Sequence, residues 1–220
     1  MIAKGMIYMK KVLKSINKFN IIILGCFVIL FSLSSCKPSE PIEHIDFSQF
    51  PESFNGFLID KDIYITSIGQ AIDIEDFLID VQYLNLFSYH HHNLLKASEV
   101  PDEGVVLIVI GCSIKGLSDA GITVEEETSR IKSFIKDAKA GRISVINWHI
   151  GGMARRGSTS DSLIEVAFSG ANLNIFVKNG DTDHFLSRIA STNQIPSYEI
   201  NYLGEIGDTL KLLALQSDGD

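Results

Sequence analysis

The chain alternates short apolar runs with amphipathic stretches from residue 62 almost to its end. Ile63–Ile68 is rich in β-branched residues, and Val105–Ile110 is aliphatic at every position. A run that is apolar on both faces is typical of a central parallel strand with helices on each side. Further strands are predicted at Leu86–His91, Ile143–Ile150, Leu173–Val177 and Ser197–Ile200.

Between these runs, apolar residues recur at spacings of three and four, which predicts helices. The clearest helix follows Thr123, which forms a capping box with Glu126, and Gly141 is placed to end it. The segment from Gly111 to Ile122 is predicted as a loop. The other helices are predicted at Ile74–Leu84, Ser158–Ser169, Thr182–Thr192 and Ile206–Leu215.

Alternation of strands and helices predicts a parallel sheet with right-handed crossovers. We therefore expect an α/β fold, a three-layer α/β sandwich of the flavodoxin or Rossmann type. Its sheet is expected to be mostly parallel, with five to six strands. The expected strand order is 2-1-3-4-5, with the sixth strand at the edge.

The first 35 residues have the pattern of a bacterial lipoprotein signal peptide. Basic residues up to Lys18 precede the uncharged apolar stretch Ile21–Leu33, which is shorter than the roughly 20 residues of a membrane-spanning helix. The following Leu-Ser-Ser-Cys, which ends at Cys36, resembles the lipobox, whose cysteine is lipidated and becomes the mature N-terminus. A plain signal peptide or a short transmembrane anchor is the alternative interpretation.

This pattern divides the chain into a signal peptide (1–35), a lipidated tether (36–59) and a single α/β domain (60–220). Prolines in residues 37–57 favour an extended tether. The domain is then expected in the bacterial cell envelope, anchored at the outer membrane or at the extracytoplasmic face of the cell membrane. With Cys26 removed and Cys36 lipidated, Cys112 has no cysteine left for a disulfide.

Charge is distributed unevenly along the chain. After Cys36 it carries 14 basic and 27 acidic residues, a net charge of 14 − 27 = −13, which disfavours nucleic acid as a partner. A local cluster of arginine and lysine is therefore unusual in this chain. The sequence has no GxGxxG, Walker or GxSxG motif, so it indicates no cofactor and no common hydrolase mechanism. Nothing in it indicates an oligomeric state.

Glycine, serine and basic residues concentrate in loops that follow the predicted strands. In doubly wound sheets, ligands bind beyond the carboxyl ends of the strands, so these loops are expected to meet around a ligand. The loops are Ser67–Gln70, Gly111–Leu117, His149–Ser158 and Lys178–Asp181. The candidate ligand-binding residues are Ser67, Gly69, Gln70, Ser113, Lys115, Gly116, His149, Gly151, Gly152, Arg155, Arg156 and Ser158.

The third of these loops has the chemistry of an anion site. Gly151 and Gly152 allow close approach of the backbone, and Arg155 and Arg156 offer planar guanidinium groups that match carboxylate or phosphate. The predicted helix start at Ser158 adds N–H donors, and Lys115 would add a third positive charge. Because adjacent loop residues rarely point the same way, one arginine is expected to face the ligand and the other to hold the loop against an acid. The alternative is a tight turn whose arginines pair with surface acids.

The same loops resemble an uncharacterised family of bacterial exported domains, classified as a domain of unknown function. The similarity rests on Ile65–Gln70, on Ser113–Leu117 with the Ala-Gly-Ile that follows, and on His-Ile-Gly-Gly followed by Ala-Arg-Arg-Gly at residues 149–157. It extends from about Ile63 to Leu213, and Ser118 stands where the family is expected to have glycine. The resemblance implies one domain of this fold and no particular activity.

Three functions are consistent with these features. The first is a lipid-anchored module that binds a small anionic ligand at the carboxyl ends of the strands. The second is an envelope enzyme in which Cys112 or His149 acts on an anionic substrate, although a small thiol after a strand usually only packs. The third is a structural envelope protein without a ligand. No metal site is expected, because strand alternation turns His91 away from its two histidine neighbours.

Overall fold

The computed structural model describes residues 46–215. The predicted signal peptide, Cys36 and the first part of the predicted tether lie outside the described residues. Within the described range, no helix combines the length and the apolar character needed to cross a membrane.

Six parallel strands form one sheet in the order β2-β1-β3-β4-β5-β6. The strands are β1 (Ile63–Ile68), β2 (Tyr89–His91), β3 (Val105–Ile110), β4 (Ser144–His149), β5 (Leu173–Val177) and β6 (Ser197–Ile200). The chain crosses to the other side of β1 when it passes from β2 to β3, so the topological switch point lies between β1 and β3. This arrangement confirms the predicted fold class and strand order.

Helices cover both faces of the sheet. They are α1 (Ile74–Leu84), α2 (Ile114–Asp119), α3 (Val124–Lys139), α4 (Ser158–Phe168), α5 (Phe185–Asn193) and α6 (Ile206–Ala214). Along β3, Val106 and Ile108 pack with α3, α4 and α5, whereas Leu107 and Val109 pack with α1 and α6. This alternation makes β3 apolar on both faces, and the result is a three-layer sandwich.

Most predicted elements lie within one residue of their expected bounds, and three differ by more. Strand β2 covers only Tyr89–His91, where Leu86–His91 was expected. The predicted loop after β3 contains α2, because the Ser113 hydroxyl accepts a hydrogen bond from the Gly116 N–H and caps a short helix. The predicted helix at Thr182–Thr192 begins only at Phe185, because the Asp181 carboxylate accepts hydrogen bonds from the first-turn N–H groups of α5. The capping box of Thr123 and Glu126 is present at the start of α3.

The described part of the predicted tether packs on the domain instead of extending from it. Phe47, Phe54 and Leu58 are buried in the two apolar cores. The Glu199 N–H donates to the Phe47 carbonyl at 2.7 Å, which covers part of the exposed edge of β6. Further along, the Gly56 N–H donates to the Leu212 carbonyl at the end of α6.

Candidate functional site

A cleft of about 590 Å³ lies at the carboxyl ends of the strands. It is bounded by the start of α1 and by the loops that follow β4, β5 and β6, and its volume is in the range of small-molecule sites. Its polar lining side chains are Asp73, Asp76, Arg155, Asn179 and Asn201. Its apolar side chains are Ile150, Ala154, Val177, Tyr202 and Leu203.

Arg155 is the cationic side chain of this cleft. Its Nε lies 3.2 Å from Oδ1 of Asp73, and 42% of its side chain is exposed. Among the residues that the structure describes, neither terminal guanidinium nitrogen has a protein hydrogen-bond partner. Asp73 therefore orients Arg155 through one nitrogen and leaves the two terminal nitrogens available as donors.

Gly151 and Gly152 make room for the side chains of this cleft. A Cβ at Gly151 would stand 2.7 Å from Oδ2 of Asp73 and would overlap Arg155. Gly152 has φ +61°, and a Cβ there would collide with the Asn179 amide. The two glycines were expected to admit a ligand to the backbone, and in the structure they admit the side chains that line the cleft.

Arg156 has a different environment from its neighbour. Only 4% of its side chain is exposed, and it binds Asp161 at 2.6 Å and Asp183 at 3.1 Å. It also donates to the Gly180 carbonyl at 2.7 Å and lies 4.4 Å above the centre of the Phe185 ring. The Asp161 carboxylate additionally accepts from the Gly157 N–H, so the chain's own acid occupies the start of α4. Arg156 is thus the arginine that holds the loop.

His149 and Cys112 do not form a nucleophile–base pair in this structure. Nδ1 of the buried His149 lies 3.0 Å from the Ile110 carbonyl oxygen and Nε2 lies 3.3 Å from that of Gly152. Burial lowers the pKa of His149, and burial together with the Glu127 charge raises the pKa of Cys112. Both shifts disfavour a thiolate–imidazolium pair. Among the described residues, no hydrogen bond joins Cys112 to His149.

A buried ion pair that the sequence analysis missed holds the loop after β1. Glu127 on α3 is fully buried, accepts the Gly69 N–H at 2.5 Å and is held by two nitrogens of Arg130, each at 2.8 Å. Arg130 also donates to the Ser67 carbonyl. Glu127 stands four residues before Ile131, on the apolar stripe of α3. A carboxylate on an apolar stripe was the signal that could have identified it.

The remaining predicted site residues lie outside the lining of the cleft. Gln70 is half-buried with φ +51°, and Ser113 and Gly116 form the first turn of α2. Lys115 is exposed and pairs with Asp119 on the same helix. Ser158 is the exposed first residue of α4.

The cleft therefore combines part of the predicted loop His149–Ser158 with residues that were not predicted to belong to the site. Gly151, Gly152 and Arg155 meet Asp73 and Asn179 at the cleft. Asp73 follows β1 closely, as expected of a residue at the carboxyl end of a strand. Asp73 was not predicted because an acidic residue does not by itself indicate an anion site.

Comparison with protein-family models matches residues 60–214 to a domain of unknown function, DUF6305. The matched range runs from the residues before β1 to the end of α6, and it includes every residue that lines the cleft. No curated protein and no solved structure matches the chain.

Proposed function

The chain belongs to the DUF6305 family, whose function is unknown, and from its own site we propose that the domain binds a small molecule with an anionic group at the carboxyl ends of the strands. The observation that carries this proposal is Arg155, which lines a cleft of ligand size, is oriented by Asp73 and has no protein partner on its two terminal nitrogens among the described residues. A guanidinium group with two adjacent free donors matches a carboxylate or a phosphate.

The contrast between the two adjacent arginines supports this assignment. The guanidinium group of Arg156 donates to two carboxylates and a carbonyl, so its role is structural. Arg155 has a single carboxylate contact and is ten times more exposed, at 42% against 4%. A guanidinium group left partly unpaired in a cleft attracts an anionic group locally, within a domain that is otherwise acidic.

Binding can be tested on the mature protein by native mass spectrometry for copurified small molecules, followed by calorimetric titration with short carboxylates and phosphate monoesters. We expect Arg155→Ala to weaken binding about 30-fold or more, since a desolvated charged contact contributes about 2 kcal/mol or more. The control is Lys132→Ala, which removes the same charge from an exposed position on α3. Equal affinity in the Arg155→Ala and wild-type proteins would contradict the proposal.

We also infer that a lipid on Cys36 anchors the domain to a bacterial membrane, so that the cleft works in the cell envelope. The support is the order of a basic segment, an apolar stretch and Leu-Ser-Ser-Cys in the first 36 residues. Cys36→Ser should accumulate as an unprocessed precursor that takes up no labelled fatty acid. Normal labelling of this variant would overturn the inference.

A further inference from the structure

Negative charges outnumber positive charges in the lining of the cleft. Asp73 and Asp76 contribute two carboxylates and Arg155 one guanidinium, and the other lining side chains are uncharged. A ligand that carried only a negative charge would gain from Arg155 and would be repelled by the second carboxylate. A ligand that also carries a positive charge would satisfy both.

Asp76 is placed to receive that positive charge. It is exposed and, among the residues that the structure describes, has no hydrogen-bond or ion-pair partner. It stands three residues after Asp73, on the first turn of α1, and such neighbours have Cβ atoms about 5–6 Å apart. Because Asp73 contacts Arg155, a cation on Asp76 would lie beside an anion on Arg155.

Part of the remaining wall of the cleft is apolar. Ile150 and Val177 are buried beneath it, while Tyr202 and Leu203 are 63% and 47% exposed at its edge. Exposed large apolar side chains at the rim of a polar cleft gain from covering an apolar group of a ligand.

Resting on the proposed function, we propose that the ligand is an apolar α-amino acid. Its carboxylate binds the open nitrogens of Arg155, its ammonium donates to Asp76, and its side chain packs against Tyr202 and Leu203. An α-amino acid carries both charged groups on one carbon, which suits a cleft where Arg155 contacts Asp73 and Asp76 stands one helical turn after Asp73.

Three molecules of similar shape test this assignment by calorimetric titration of the mature protein: L-leucine, 4-methylpentanoate, which lacks the ammonium, and 3-methylbutylamine, which lacks the carboxylate. We expect L-leucine to bind about tenfold or more tighter than 4-methylpentanoate, because a charge-assisted hydrogen bond contributes at least that factor. We expect the amine to bind weakly.

The variant Asp76→Asn should remove the advantage of L-leucine over 4-methylpentanoate and leave 4-methylpentanoate binding equal or tighter. The matched control is Glu75→Gln, which removes the same charge from the neighbouring exposed residue that does not line the cleft. An equal effect of both variants would show a general charge effect and would overturn the role of Asp76.

Equal affinity for L-leucine and 4-methylpentanoate would overturn the amino-acid assignment and leave the anion site intact. Absence of L-leucine binding, with Arg155-dependent binding of another anion, would also overturn it. Absence of any Arg155-dependent anion binding would instead remove the proposed function itself.

Discussion

Gly151 lies so close to Arg155 that a methyl group at position 151 would overlap the arginine side chain. The same methyl group would stand 2.7 Å from Oδ2 of Asp73. Gly151 is not among the glycines with positive φ, so its backbone conformation accepts alanine. The requirement for glycine at this position therefore comes from the Asp73–Arg155 pair.

We expect Gly151→Ala to displace Arg155 and to weaken anion binding about tenfold or more, by the loss of an oriented charged contact. Calorimetric titration measures this change, and a thermal melt of the same sample reports the fold. The control is Gly207→Ala on α6, where a Cβ would make an ordinary contact of 3.4 Å with Leu84. Unchanged affinity in Gly151→Ala would show that Arg155 does not need its present position.

The two adjacent arginines should contribute differently to the free energy of unfolding. Arg156→Ala leaves Asp161 and Asp183 without their cation, and we expect a loss of about 2–4 kcal/mol in the free energy of unfolding. The expected loss is at the lower end of the range for breaking a buried ion pair, because Asp183 is half exposed. Arg155→Ala should cost about 1 kcal/mol or less. Urea denaturation measures both, and equal losses would contradict the separate roles of the two residues.

The sequence predicted the sheet well because strand identity depends on local patterns. The aliphatic run of β3 is typical of a strand covered on both faces, and the alternation with helices then restricts the order of the strands. The separate roles of Arg155 and Arg156 were harder to predict from the sequence. Arg156 binds Asp183 on a distant loop, and only the folded chain brings these two residues together.

The cleft was incompletely predicted for a related reason. Glycines and cations mark an anion site in a sequence, and they indicated Gly151 and Arg155. Asp73, the acid that orients Arg155, carries no such mark. Tyr202 was missed because a single exposed aromatic residue after an edge strand has no pattern of its own. Contacts between side chains of different loops carry no periodicity that a sequence can show.

The segment before β1 should contribute to stability. Phe54 is buried in the core beneath α1 and α6, and its ring centre lies 4.9 Å from that of Phe57. We expect Phe54→Ala to lower the free energy of unfolding by about 3 kcal/mol, as for other large core truncations. The control, Ile79→Ala, alters a side chain that is 63% exposed on α1 and should change stability by about 0.5 kcal/mol or less. Equal small losses in urea denaturation would mean that this segment detaches in solution.

Cys112 should be an unreactive thiol. Burial, followed by the Glu127 charge, raises its pKa, so the thiolate needed for alkylation forms only at higher pH. Mass spectrometry of the Cys112 peptide should show slower iodoacetamide labelling at pH 8 in the folded protein than in the protein unfolded in urea. Cys112→Ala should cost about 1 kcal/mol and leave anion binding unchanged. Faster labelling in the folded state would instead indicate an activated cysteine.

His149 should make stability depend on pH in a defined window. Burial lowers its pKa in the folded state, whereas in the unfolded chain it has the ordinary histidine value of about 6.5. Below this value the unfolded chain binds a proton at His149 and the folded protein does not. The free energy of unfolding therefore falls as the pH is lowered. Above it both states are neutral, and His149 contributes no pH dependence. The loss has a limiting slope of about 1.4 kcal/mol per pH unit between the unfolded and folded pKa values.

Nuclear magnetic resonance titration of the histidine ring protons between pH 7.5 and 5 tests this assignment without a variant. The protein unfolded in urea serves as the reference, because His149 has the ordinary histidine pKa there. We expect the His149 signal of the folded protein to stay at its neutral position throughout this range. Urea denaturation over the same range should show the fall in the free energy of unfolding. Titration of His149 at the ordinary histidine pKa in the folded protein would show that its ring reaches solvent. The contacts to the Ile110 and Gly152 carbonyls would then not hold it in solution.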